Sequence, residues 1–257
     1  MLVLLSCAKT MSAVSKVKVP LTTSPRFQKE AAEIALQMSQ FSVDELERLL
    51  RVNAKIAVEN YKRYQAFHAE TTPELPALLA YTGIVFKRLN PKDFSAEDFG
   101  YAQEHLRLTS FCYGLLRPLD VIRAYRLEGD VVLPELGNQT LFSYWRSRLT
   151  DTFIEDIRSA GGILCNLASD EMKSLFDWKR VEKEVHVITP EFQVWKNGKL
   201  ASIVIYIKMS RGEMTRFILK NRIENPEDLK SFSWEGFEFN ESLSNEKKFV
   251  FTNGKEI

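Results

Sequence analysis

A chain of 257 residues, 45% hydrophobic and 27% charged, has room for one large globular domain, and its few prolines and glycines exclude a long disordered tract. Its formal charge is +1, from 35 basic and 34 acidic residues, so any nucleic-acid role must rest on a local basic patch. Three widely spaced cysteines, Cys7, Cys112 and Cys165, exclude a disulfide framework and read as reduced cytosolic thiols; the dispersed His68, His105 and His186 advertise no metal site, so neither metal nor cofactor is expected.

The start, Leu2-Val3-Leu4-Leu5-Ser6-Cys7, has no basic residue and falls short of the roughly 7–15 apolar residues of a secretory signal. It reads as a buried first strand that leaves through the polar turn 6–10 into a loop carrying Lys16 and Lys18. No run reaches the roughly 18 apolar residues of a membrane span, so a cytoplasmic location is expected. From Phe27, Ala31, Ile34, Ala35 and Met38 recur at helical spacing. Ser42 and Glu45 form a capping box before a second helix, and a third covers about 53–67. Residues 78–86 fit either helix or strand. Ser95 opens a helix running from 98 to about 110. An apolar turn holding Tyr113 and Gly114 follows, then a short helix restarting at 117–120. Residues 141–157 form an amphipathic helix and 163–167 a buried strand, with Ser169 as a following helix cap. Strands over 185–195 and 199–209 are joined by Asn197-Gly198, the pair that supplies both positive-φ residues of a type I′ turn. Ser210 to Glu213 reads as a second capping box opening a helix to about 222, and two short aromatic strands close the chain. The whole, residues 1–257, is expected to be a single mixed α+β domain, with a helical N-terminal half and a sheet-rich C-terminal half.

Three strand exits, at 6–10, 166–169 and 208–211, can converge, because ligands gather at the carboxyl ends of strands in open α/β sheets. Lys9, Thr10, Asn166, Ser169, Lys208 and Arg211 then suit a phosphate or carboxylate, with backbone N–H groups near Gly212 at a helix start. The plainer alternative is a set of ordinary strand exits with solvated charges. Arg107, Arg117, Arg123 and Arg126 face the single acid Asp120 between 105 and 126; Lys208, Arg211, Arg216, Lys220 and Arg222 face Glu213 alone between 208 and 222. Two such segments predict a basic surface, unless the arginines pair with distant acids. The outline around Gly114 suggests a helix–hairpin–helix module, which grips the DNA backbone without reading sequence. Cations near Cys7 and Cys112 would lower a thiol pKa, while burial would make them inert.

Several segments together resemble the YaaA family of peroxide-stress proteins: Ser-Cys-Ala-Lys-Thr at 6–10, Ala-Gln-Glu-His-Leu-Arg at 102–107, Tyr-Gly-Leu-Leu-Arg-Pro-Leu-Asp at 113–120, Tyr-Arg-Leu-Glu at 125–128, Asn-Leu-Ala-Ser at 166–169 and Arg-Gly-Glu-Met-Thr-Arg-Phe at 211–217. The family pattern has proline at Cys7, a Gly-Asp-Val-Tyr-x-Gly-Leu stretch at 83–89, a glycine near 111–112 and a small apolar residue at Ser210. The resemblance implies a protein of the peroxide-stress response with an indirect effect on free iron, a basic cleft and sequence-independent DNA binding. DNA or phosphate contacts are then expected from Lys9, Thr10, Arg107, Arg117, Arg126, Lys208, Arg211 and Arg216, with Tyr113 and Gly114 in the hairpin. The alternative is an enzyme acting on a phosphorylated or carboxylated small molecule near Lys9 and Arg211, with Lys9 as anchor or buried base.

Overall fold

Leu2–Leu5 has no polar side, so it needs neighbours on both edges and both faces. In the computed structural model, which describes the backbone of residues 1–256 and the side chains of residues 1–254, this segment is β1 and is fully buried. The helices are α1 (Gln28–Met38), α2 (Val43–Leu50), α3 (Ala54–Ala66), α4 (Ala77–Ala80), α5 (Ile84–Leu89), α6 (Ala96–His105), α7 (Leu141–Ser159), α8 (Trp178–Glu184) and α9 (Val204–Asn221). The further strands are β2 (Glu74–Pro76), β3 (Leu106–Ser110), β4 (Gly114–Leu116), β5 (Val121–Arg123), β6 (Val132–Leu133), β7 (Gln139–Thr140), β8 (Ile163–Asn166), β9 (His186–Lys196), β10 (Lys199–Ala201), β11 (Phe237–Phe239) and β12 (Lys248–Glu256).

The main sheet runs β11-β12-β9-β8-β1-β3-β4, with β10 against β9. Its centre is parallel, from β12 through β9, β8 and β1 to β3, while β4, β10 and β11 pair antiparallel. The mixed α+β class is as the sequence indicates. One contiguous core cluster extends from Met1 to Phe251. The capping box at Ser42 and the Asn197-Gly198 turn, with φ of 52° and 71°, form as read.

Three expectations are corrected. The helix opened by Ser95 stops at His105, and 106–110 is β3, drawn into the sheet by its pairing with β1. The hairpin at Gly114 is therefore a β-hairpin between β3 and β4, and 117–120 is a turn rather than a helix, so the helix–hairpin–helix outline fails. The strand expected over 199–209 ends at Ala201, and α9 begins at Val204; Ser210 is fully buried in mid-helix and caps nothing. Arg211 and Gly212 accordingly sit inside a helix, where backbone N–H groups are already bonded. The continuous apolar run over 203–207 satisfied a strand pattern, but the packing of α9 as a whole against α5 and β9 goes with a helix. Residues 78–86 resolve into α4, an extended link and the start of α5.

α9 is held by charge as well as by packing. Arg216 grips Asp93 with Nη1 at 2.8 Å and Nη2 at 2.6 Å. Asp98, which also caps α6 at Ser95, receives Lys220 at 2.6 Å and Arg222 at 2.8 Å. Burial opposes its charge, but Lys220, the Ser95 N–H and Arg222 together hold the carboxyl down at about 2.

Candidate functional site

The parallel strands β1, β3 and β8 all end on one edge, so the loops at 6–10, 111–113 and 167–169 emerge side by side. The first and third are tied together: Ser169 N–H donates to Ser6 Oγ at 2.8 Å, and the two hydroxyls lie 3.1 Å apart. Against them lie the start of α5, the segment 125–128 and the middle of α9. The space between is a partly open cavity of about 310 Å³. Lys9, Arg126, Lys208 and Arg211 line it against the carboxylates Glu128 and Glu171, and the remaining wall is mainly apolar.

Lys9, Thr10, Arg126, Lys208, Ser169 and Arg211 are thus brought together, although 208–211 is helix rather than strand exit. Asn166 ends β8 just beneath, with Nδ2 buried and unbonded. Lys9 is not a buried base. Its side chain is 62% exposed, and Nζ lies 2.8 Å from Glu128 Oε2. Glu128 Oε1 is buried and accepts no hydrogen bond, since Arg126 Nη2 stands off at 3.7 Å; Arg126 Nε is likewise buried and unbonded. Arg211 is half-buried, and its guanidinium makes no hydrogen bond or ion pair among the described residues. Burial pushes it below its ordinary pKa, opposed by Asp170.

The other arginines are spent inside the fold. Arg107 is 7% exposed; its Nε binds Asp156 at 2.6 Å and its Nη1 binds carbonyls of 103, 104 and 106, so it is no part of a basic surface. Arg117 pairs with the fully buried Asp120 at 2.9 Å, Arg123 with Glu74 at 2.9 Å, and Arg216 with Asp93. Tyr113 and Gly114 belong to the core rather than to a DNA-gripping hairpin. Gly114 has φ of 71°, and a Cβ there would meet Trp145 at 2.7 Å.

Four lysines that sequence spacing did not join do come together. A groove of about 890 Å³ is lined by Lys16, Lys18, Lys87 and Lys92, with no carboxylate in its lining. All four are exposed and unpaired among the described residues. Phe86, buried between them, is a wall residue of both the groove and the cavity. The only sequence signal was Lys16 and Lys18 in a polar loop; Lys87 and Lys92 arrive through the fold.

Cys7 also lines the cavity, but nearby cations do not activate it. Burial pushes its thiol up to about 12, against the Thr109 contact that lowers it. Cys112 and Cys165 are raised by burial too. The thiolate attacks peroxide and alkylating agents, and a more basic thiolate is the better nucleophile, so Cys7 is expected to react roughly 50-fold more slowly at pH 7.5 than a thiol of pKa about 8.5. Intact-mass kinetics with iodoacetamide checks this; modification within minutes contradicts it. Among the described residues no cluster of three His, Cys, Asp or Glu side chains can hold a metal, and no helix is long and apolar enough to cross a membrane.

These features define a mixed α+β protein with a cation-lined cavity at the carboxyl edge of a parallel sheet core. The family described as "Peroxide stress protein YaaA" matches residues 1–243, and the chain belongs to it. It is 93% identical over 254 residues to a UPF0246 protein of Bacteroides thetaiotaomicron, covering 99% of each chain. It is 63% identical over 252 residues to one of Phocaeicola vulgatus, covering 98% of this chain and 99% of that one. To one of Crocosphaera subtropica it is 37% identical over 252 residues, with the same coverage.

Proposed function

We propose that this cytoplasmic peroxide stress protein limits oxidative damage by binding DNA without sequence preference, with any effect on free iron indirect. The observation that carries the reading is the carboxylate-free groove of Lys16, Lys18, Lys87 and Lys92, which shares the wall residue Phe86 with the cavity. Lysines on exposed, unpaired stems suit a sequence-independent grip on phosphates, each contact releasing counterions. If about 4–6 phosphates are neutralised, log K falls with log salt at a slope near −4 to −5. Replacing all four lysines by alanine removes no internal bond, so the fold is expected to survive while the slope becomes shallower by about 3–4 units. Fluorescence anisotropy on a duplex at several salt concentrations measures both. An absence of binding at low salt overturns the reading.

A second reading, an enzyme acting on a phosphorylated or carboxylated small molecule, is favoured by the unpaired Arg211 within the cavity. Lys9, exposed and paired with Glu128, anchors charge in that reading rather than serving as a base.

A further inference from the structure

We propose that the cavity at the ends of β1 and β8 receives one nucleoside monophosphate unit, with its phosphate on Arg211 and Lys208 and its base against the apolar wall. Its strand-borne form rests on the DNA reading above; its free form does not.

Three features specify this chemistry. Lys208 and Arg211 are three residues apart on α9, so they share a face, and neither has an acidic partner within ion-pair distance among the described residues. A desolvated guanidinium with no acceptor is costly to leave unmatched, and its planar fork fits phosphate oxygens in pairs. Ile84, Val85 and Phe86 from the first turn of α5, with Leu127 and Met172, supply an apolar wall that an inorganic anion would leave empty. The ligand must therefore carry an uncharged body beside its anion. Glu128 is 9% exposed, lines the cavity, and keeps Oε1 without a donor, so that body should offer an N–H, as the edge of a nucleobase does. Fatty acids and simple aryl acids have no such group. The volume of about 310 Å³ lies at the small end of ligand sites, about 300–1,000 Å³, and suits one nucleotide rather than two. Because Phe86 lines both the cavity and the lysine groove, a nucleotide swung out of a strand held in the groove would have the neighbouring cavity within reach.

The experiment has two arms. In the first, calorimetry compares the four deoxynucleoside monophosphates with inorganic phosphate and with the free nucleosides, on the intact protein. At least one monophosphate is expected to bind 10-fold or more tightly than either part. Arg211→Met should weaken it by about 10- to 100-fold, the range for a lost charged hydrogen bond, at unchanged melting temperature because no protein group loses a partner; Arg211→Lys should recover part of the loss. In the second arm, a duplex carrying 2-aminopurine is followed by anisotropy and fluorescence together. Brightening on binding, lost in Arg211→Met, supports the strand-borne form. If no monophosphate binds better than phosphate and bound 2-aminopurine stays dark, the proposal is overturned and the DNA reading survives. Monophosphate binding without duplex binding supports the cavity assignment and overturns the DNA reading instead. Selective binding of non-nucleotide phosphorylated or carboxylated compounds overturns the nucleotide assignment.

Discussion

Gly212→Ala is expected to lower the melting temperature by roughly 6–12 °C, about 3 kcal/mol in a protein of this size. In an isolated helix the same change would stabilise by about 1 kcal/mol, because alanine loses less backbone freedom. Here the contact decides the sign. A Cβ on Gly212 would lie 2.3 Å from the Val85 carbonyl oxygen and 2.8 Å from Arg88 Cβ, so α5 and α9 cannot keep their separation. The obstruction is backbone and has no rotamer to escape into. Gly100 in α6 is the matched control. A Cβ there meets nothing within 4 Å, so Gly100→Ala should hold or slightly raise the melting temperature. Thermal denaturation followed by circular dichroism compares the two, and equal midpoints for both variants would contradict the packing argument. Because Val85 also lines the cavity, parting α5 from α9 should weaken any ligand held there as well.

Arg107→Ala is expected to cost about 3–5 kcal/mol, the range for removing one partner of a buried ion pair, or roughly 10 °C in melting temperature. The guanidinium joins Asp156 of α7 to the carbonyls of Gln103 and Glu104 in α6 and of Leu106 in β3, and little water can replace it where it is 7% exposed. Arg26, at 3.1–3.2 Å from the same carboxylate, keeps Asp156 from complete isolation and places the cost toward the lower end of that range. At temperatures where the variant remains folded, its DNA salt slope should match the wild type, since no phosphate can reach the side chain. Arg211→Ala should behave in the opposite way, with a nearly unchanged melting temperature and weakened ligand binding. A loss of DNA affinity in folded Arg107→Ala, with the slope shallower by about 1, would instead place Arg107 at the nucleic acid.

The sequence by itself determined the elements whose information is local. β1 is legible because four apolar residues in a row tolerate no solvent, α2 because Ser42 and Glu45 satisfy each other's backbone donors, and the β9–β10 turn because Asn197-Gly198 accepts positive φ. The family was legible from short segments kept in order, and convergence of Lys9 and Ser169 followed from placing 6–10 and 166–169 at neighbouring strand ends, whereas Lys208 and Arg211 reach the same cavity from the middle of α9 and not from the strand exit expected. Tertiary structure decided the rest. It turned 106–110 from helix to strand, since pairing with β1 outweighs a helical pattern that continues past His105. It made 204–221 one helix, burying Ser210 where a cap was expected. It neutralised most of the arginines through acids distant in sequence: Asp156 for Arg107, Glu74 for Arg123, Asp93 for Arg216. Unpaired positive charge lies instead on Lys208 and Arg211 in the cavity and on Lys16, Lys18, Lys87 and Lys92 in the groove. The physical reason is that charge density along a chain says nothing about pairing, which depends on carboxylates brought from 49 residues away, as for Arg107 and Asp156, to 123 residues away, as for Arg216 and Asp93.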